Sequence, residues 1–201
     1  MPYGDVPEGV WFRESVQAFL DAGYLDPKQK TFRPVANATR AEFLKLVVEQ
    51  NGGVLQDPPA VPSFTDAGPN DWFYGVIEES AKEGWMLGDG NCYGSTTLTT
   101  GSTNPCRARP NERISRAEAA ILIVRAFGIE GTGRSPRFID VGANDWFMAA
   151  VSAAADHCIL QGDPATQRVR PFDPINRAEM VTMLFRVDQN LEYGYDCGGK
   201  K

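Results

Sequence analysis

The sequence predicts a mostly all-α fold made of three helix–loop–helix repeats. Three observations predict it. A leading block with an aromatic residue, an Asp and a Trp-Phe pair occurs three times: Tyr3, Asp5, Trp11, Phe12; Phe64, Asp66, Trp72, Phe73; Phe138, Asp140, Trp146, Phe147. A closing block in which Pro precedes Arg by six residues follows each time, at Pro34 and Arg40, Pro110 and Arg116, Pro171 and Arg177. Apolar and small residues after both blocks return at the spacing of one helix face rather than alternating as in a strand.

Each repeat opens with a helix near its Trp. The inward stripe reads Ser15, Val16, Phe19, Leu20 in the first repeat, Val76, Ile77, Ser80, Ala81 in the second and Ala150, Val151, Ala154, Ala155 in the third. The second helix of each repeat begins at the Arg. It carries Phe43, Leu44, Val47, Val48; Ala119, Ala120, Ile123, Val124; and Met180, Val181, Leu184, Phe185. Thr39 with Glu42 and Ser115 with Glu118 have capping-box spacing, so cap and Glu need no role beyond folding. Helices of ten to thirteen residues in a lone pair cannot bury both stripes, and the repeats are expected to pack on one another as one compact domain. The boundaries are 1–53, 62–130 and 136–189, with a tail at 190–201.

Between Asp and Arg the repeats run 35, 50 and 37 residues, so the second holds an insertion of about fifteen, the Gly/Ser/Thr-rich stretch 90–105, which reads as a surface loop. Cys92 and Cys106 bracket most of it. We expect those two to pair, and Cys158 to pair with Cys197 in the tail; three pairings are open from sequence. Four cysteines without a CxxC, beside a single histidine, His157, give no zinc ligand set, so neither metal nor cofactor is expected. The even count points to an oxidising, extracellular compartment.

With 42% hydrophobic residues the chain can bury a real core, and a net charge of −6 without a long basic run argues against nucleic acid as a partner. No stretch approaches a membrane span, and the first eight residues lack the basic and apolar parts of a signal peptide. Catalysis is not expected. His157 and Cys158 are adjacent on a helix and point apart, no phosphate-cradling glycine loop is present, and Asp66 and Asp140 recur as repeat features without acid/base asymmetry.

From Tyr3 to Val187 the chain resembles the S-layer homology family, through its leading Phe-x-Asp and Trp-Phe, its Gly-containing middle and its terminal Thr-Arg-Ala-Glu block. The resemblance implies a pseudo-threefold spindle around six central helices, with inter-repeat grooves that hold a secondary cell-wall polymer, often ending in an anionic pyruvylated sugar. It thus implies a non-enzymatic cell-surface anchor for an S-layer or other surface protein. The alternative is a protein-interaction or lattice module contacting other S-layer subunits. Departures are Asp26-Pro27 in place of the middle Gly, Cys158 in place of the helix-ending Gly23 and Gly84, and Ala108 and Val169 where the first repeat has Phe32. The cysteines are also unusual for the family.

An Arg in the first turn of a helix faces the positive end of the helix dipole, a placement that costs roughly 0.3–1 kcal/mol and invites a further explanation. Arg40, Arg116 and Arg177 either grip an acidic glycan or pair with a leading Asp to tie repeats together. Local basic ledges favour the glycan: Lys28, Lys30, Arg33 and Arg40; four Arg from Arg107 to Arg116 against Glu112; three Arg from Arg168 to Arg177 against Asp173. The candidate glycan-binding set adds Asp5, Asp66 and Asp140, the middle glycines Gly88 and Gly162, and Trp85 as a groove wall. Trp11, Trp72 and Trp146 either stack on sugar or plug the core, with the core preferred because each opens an apolar stripe.

Overall fold

The computed structural model describes residues 1–53, 57–89, 106–131 and 138–193, together with 195–196 and 199–200. Helices α1 (Arg13–Asp21), α2 (Arg40–Gln50), α3 (Tyr74–Lys82), α4 (Arg116–Phe127), α5 (Met148–Asp156) and α6 (Arg177–Tyr193) fall two per repeat, as expected. The tail is shorter than expected, because α6 runs on to Tyr193. Two-residue strands β1 (Tyr195–Asp196) and β2 (Gly199–Lys200) then pair antiparallel. The insertion at 90–105 lies outside the described residues, as do Cys92 and Cys197, so both expected cysteine pairings involve an undescribed partner. No described cysteine is free.

Two compact units are present, one of Met1–Ala38 with Arg113–Lys201 and one of Thr39–Glu112. In the first, α1 packs on α6, α5 on α4, and α4 also touches α6; in the second, α3 packs on α2. The first helix of every repeat thus packs on the second helix of another repeat, never on its own. That arrangement follows from helices too short to bury two stripes within one pair.

In the first unit three backbone amides close a ring. Ala38 N donates to Ile175 O at 2.9 Å, Ile175 N to Ile114 O at 3.0 Å, and Ile114 N to Ala38 O at 3.1 Å. All three residues are fully buried, so these groups have no access to water and the ring supplies their partners. Each stands one residue before a helix cap. Thr39 and Ser115 form the expected capping boxes. Asn176 makes the same box, its Oδ1 accepting from Glu179 N and its own N–H donating to Glu179 Oε2, both at 2.9 Å.

A second device shapes the loop before each of these caps. Arg33, Arg109 and Arg170 each precede a proline and take φ of 60°, 53° and 53°, a left-handed conformation that costs a non-glycine residue roughly 1–3 kcal/mol. The leading Asp of the same repeat holds each turn. Asp5 accepts from Phe32 N and Arg33 N at 2.7 Å each, Asp66 from Ala108 N and Arg109 N at 2.8 and 2.9 Å, and Asp140 from Val169 N and Arg170 N at 3.0 and 2.8 Å. Two charged hydrogen bonds at roughly 1.5–3 kcal/mol each outweigh the strain. The Asp at the head of each repeat is therefore the clamp of its own turn.

The tryptophans correct the sequence reading. Trp11, Trp72 and Trp146 are 63%, 59% and 66% exposed, while the adjacent Phe12, Phe73 and Phe147 are buried at the helix caps. Each Trp meets its Phe edge-on, with centroids 5.2–5.4 Å apart. Neighbouring residues at a helix entrance point in different directions, and the Phe takes the inward one.

Two consequences can be measured. Phe147→Ala is expected to lower unfolding stability by about 3–5 kcal/mol in chemical denaturation, and Trp146→Ala by about 1 kcal/mol or less. For Asp5, burial pulls its pKa up, but the amides of Phe32, Arg33 and Asp5 itself, with Arg177 nearby, outweigh that and leave it below the ordinary 3.8. A lowered folded-state pKa contributes stability that is complete above 3.8 and lost as pH falls through the lower folded value. Asp5→Asn is expected to cost about 1 kcal/mol near pH 7 and to flatten the stability–pH curve in that acid window.

Candidate functional site

The three helix-start arginines share one structural bond. Arg40 Nε donates to Ala108 O at 2.9 Å in the second unit; in the first, Arg116 Nε donates to Val169 O at 2.6 Å and Arg177 Nε to Phe32 O at 2.8 Å. Each acceptor is the residue just before a clamped, left-handed Arg, and in every case it belongs to a different repeat. The main chain repeats the pattern. Arg40 and Ala41 donate to Glu112 O and Pro110 O, Arg116 and Ala117 to Asp173 O and Pro171 O, and Arg177 and Ala178 to Ala36 O and Pro34 O. The arginines do tie repeats together, but through turn carbonyls rather than through the leading Asp, whose two oxygens each accept an amide of the turn.

Arg116 has more capacity than this tether uses. It is only 6% exposed, and besides Val169 its NH2 donates to Gln161 O at 2.6 Å and its NH1 to Glu179 Oε1 at 3.0 Å. Burial lowers its pKa, Glu179 works against that shift, and the guanidinium remains charged. Arg177 is half-buried and lies 5.1 Å over the Phe32 ring, a cation–π contact that Ala108 and Val169 cannot offer the other two arginines.

Beside Arg116 the first unit opens a cavity of about 280 Å³. Its charged lining is Arg116, Arg168, Arg170 and Arg186 against Asp163 and Glu179, two net positive charges. Trp11 stands at its wall and Gly162 on its floor. A Cβ at Gly162 would lie 2.4 Å from the Phe138 ring and 2.8 Å from Arg168 O, so only glycine lets these two segments approach. Asp163 is spoken for locally: its Oδ1 accepts from Ala165 N, and its carboxyl pKa is lowered by that bond.

Of the residues nominated from sequence, this cavity gathers Arg116 and Gly162. Asp5 and Asp140 lie in the same unit as turn clamps, and Arg177 serves as a tether there. Arg40, Asp66, half-buried Trp85 and Gly88, with φ 69°, belong to the second unit. Sequence reasoning missed Arg186, Thr182 and Gln161, and misplaced Trp11. The available signal was a break in the repeat. Nine residues after the helix-start Arg stand Glu49, Arg125 and Arg186, and five after it stand Lys45, Ile121 and Thr182. Among the described residues there is no cluster of metal-ligating side chains, and no helix is long and apolar enough to cross a membrane.

The S-layer homology domain model matches residues 2–44 and 137–181. Similar proteins include a surface-layer 125 kDa protein of Lysinibacillus sphaericus, 24% identical over 90% of this chain and 14% of that protein. An endo-1,4-beta-xylanase A of Thermoanaerobacterium saccharolyticum is 32% identical over 53% of the chain and 9% of its own length. An amylopullulanase of Thermoanaerobacterium thermosulfurigenes is 31% identical over 55% of the chain and 6% of its own. The chain therefore spans a small fraction, 14% or less, of these relatives. The two matched segments hold the leading blocks, clamps and capping boxes of the first and third repeats, and both are thereby identified as S-layer homology domains.

Proposed function

We propose that this chain is a non-catalytic anchoring module that binds an anionic cell-wall polysaccharide, such as a pyruvylated one, and tethers a surface protein outside the cell. The observation that carries this reading is the cavity at Arg116, where four arginines face two carboxylates beside an exposed tryptophan. Guanidinium groups give a carboxylate forked, charge-assisted hydrogen bonds, and an indole face offers a sugar ring an apolar platform. An acidic sugar needs both. Two S-layer homology domain matches and similarity to a surface-layer protein support the same reading. The S-layer homology domain is itself non-catalytic, so any enzymatic activity in such relatives rests on their other domains.

In this reading Arg116 keeps its tether to Val169 O and offers the ligand the N–H groups that Glu179 and Gln161 leave over, while Trp11 and the exposed Arg168 contact the ligand without holding the fold. The three helix-start arginines are then unequal: Arg40 and Arg177 serve first as ties between repeats. Trp11→Ala and Arg168→Gln are expected each to weaken co-sedimentation with isolated wall polymer about tenfold, or 1.4 kcal/mol, with the melting temperature unchanged. Wild-type protein that does not sediment with wall polymer would overturn the reading.

An extracellular site also fits the pairing expected from the sequence, Cys92 with Cys106 and Cys158 with Cys197. Under denaturing conditions all four thiols are expected to resist alkylation until a reductant is added, and peptide mapping should recover those two pairs.

A further inference from the structure

Arg186 is a half-buried guanidinium with neutral partners. Its NH1 donates to Ile159 O at 3.4 Å and its NH2 to Gln161 Oε1 at 3.2 Å, both long, and among the described residues no carboxylate pairs with it. Burial lowers its pKa, and Arg116 lowers it further. The two guanidiniums converge on one residue, since Arg116 holds the Gln161 carbonyl and Arg186 its side-chain amide. Glu179 pairs with Arg116 and leaves Arg186 uncompensated.

One turn earlier on α6, Thr182 faces the same cavity. It is 6% exposed, and its Oγ1 is buried without a hydrogen-bond partner among the described residues. A buried hydroxyl left unpaired is costly, and so is a buried cation without a counter-charge. Here both are four residues apart on one helix face and line one cavity. The first repeat treats the equivalent positions differently: Lys45 and Glu49 neutralise each other in a 2.6 Å ion pair. The second has Ile121 and Arg125. An uncompensated cation beside an unpaired hydroxyl therefore occurs at this i, i+4 position in the third repeat alone.

We propose that Arg186 and Thr182 form a second anion-binding point in the Arg116 cavity, so that the ligand presents two acidic groups to one pocket. The inference rests on the anchoring reading and narrows its ligand from a singly acidic glycan to one with a second carboxylate or phosphate on the same or the adjoining sugar. Arg116 takes one acidic group with the N–H groups that its bonds to Glu179 and Gln161 leave over. Arg186 takes the other, with the Thr182 hydroxyl donating to it. The ligand then supplies the counter-charge that Arg186 lacks and the hydrogen-bond partner that Thr182 lacks.

The test uses the full chain and two probes, inorganic phosphate and isolated wall-polymer fragments. Phosphate titrated into wild-type protein is expected to give saturable NMR shifts at Thr182 and Arg186. Arg186→Gln should weaken phosphate and fragment binding at least about tenfold, and Thr182→Val, which keeps shape and charge, about three- to tenfold. Because each variant relieves an unsatisfied group, the melting temperature of the free protein should stay level or rise. Fragment binding by Arg186→Gln and Thr182→Val equal to wild type would overturn the second point while leaving the anchoring reading intact. A fall in melting temperature with unchanged binding would make Arg186 a structural residue and overturn it too. If wild type binds no fragment yet binds phosphate at Arg186 and Thr182, the anion point stands and the anchoring reading falls; no phosphate shift at either residue refutes the anion point.

Discussion

Three fully buried peptide groups, at Ala38, Ile114 and Ile175, have no water to turn to and bond only to one another in a closed ring. Much of the repeat motif can be understood as what makes such a ring possible. The chain must enter it, give up an amide and a carbonyl, and begin a helix one residue later. The capping box at Thr39, Ser115 or Asn176 starts that helix, and the Asp-clamped turn before the proline delivers the chain. Loss of a cap or a clamp affects the neighbouring repeats, because the carbonyl beside each clamped turn is the acceptor for an arginine elsewhere in the cycle.

This division of labour explains why one motif contains both recurrent charge and little free chemistry. Asp and Arg recur in every repeat at fixed distance, which suggests an ion pair or a shared ligand. The two never need to meet, since both act on the same kind of turn, the Asp on its amides and the Arg on the carbonyl just before it. The repeats differ instead on the second helix, where α6 places Thr182 and Arg186 at positions that the first repeat fills with the Lys45–Glu49 ion pair and the second with Ile121 and Arg125.

Much of this was legible in the sequence. Helix positions followed from the spacing of apolar residues, and the caps from Thr39-x-x-Glu42 and Ser115-x-x-Glu118, because both signals are local. The exposure of Trp11, Trp72 and Trp146 was not, since composition favours burying an indole and only the entry angle of the helix decides between adjacent Trp and Phe. The partner of Asp5 was equally hidden: its acceptor oxygens reach amides 27 and 28 residues away, and no side chain marks them. The surroundings of Arg186 were hidden too: a carbonyl 27 residues away, a side-chain amide 25 residues away and another arginine.

The tether from Arg177 to Phe32 crosses 145 residues of chain. An open solenoid can add units one at a time onto a stable end, whereas here the first repeat finds its acceptor contacts only after the third has been made. During synthesis the amino-terminal helix α1 must wait for α6, its packing partner, so early fragments hold an exposed apolar stripe and an unfilled turn. Loop-closure entropy grows only slowly with length, so this wait costs little in final stability, but it delays completion of the unit that joins the two ends of the sequence. The unit of Thr39–Glu112 has all its partners by residue 112, so a chain growing from its amino terminus can complete that inserted unit before the one whose two segments flank it.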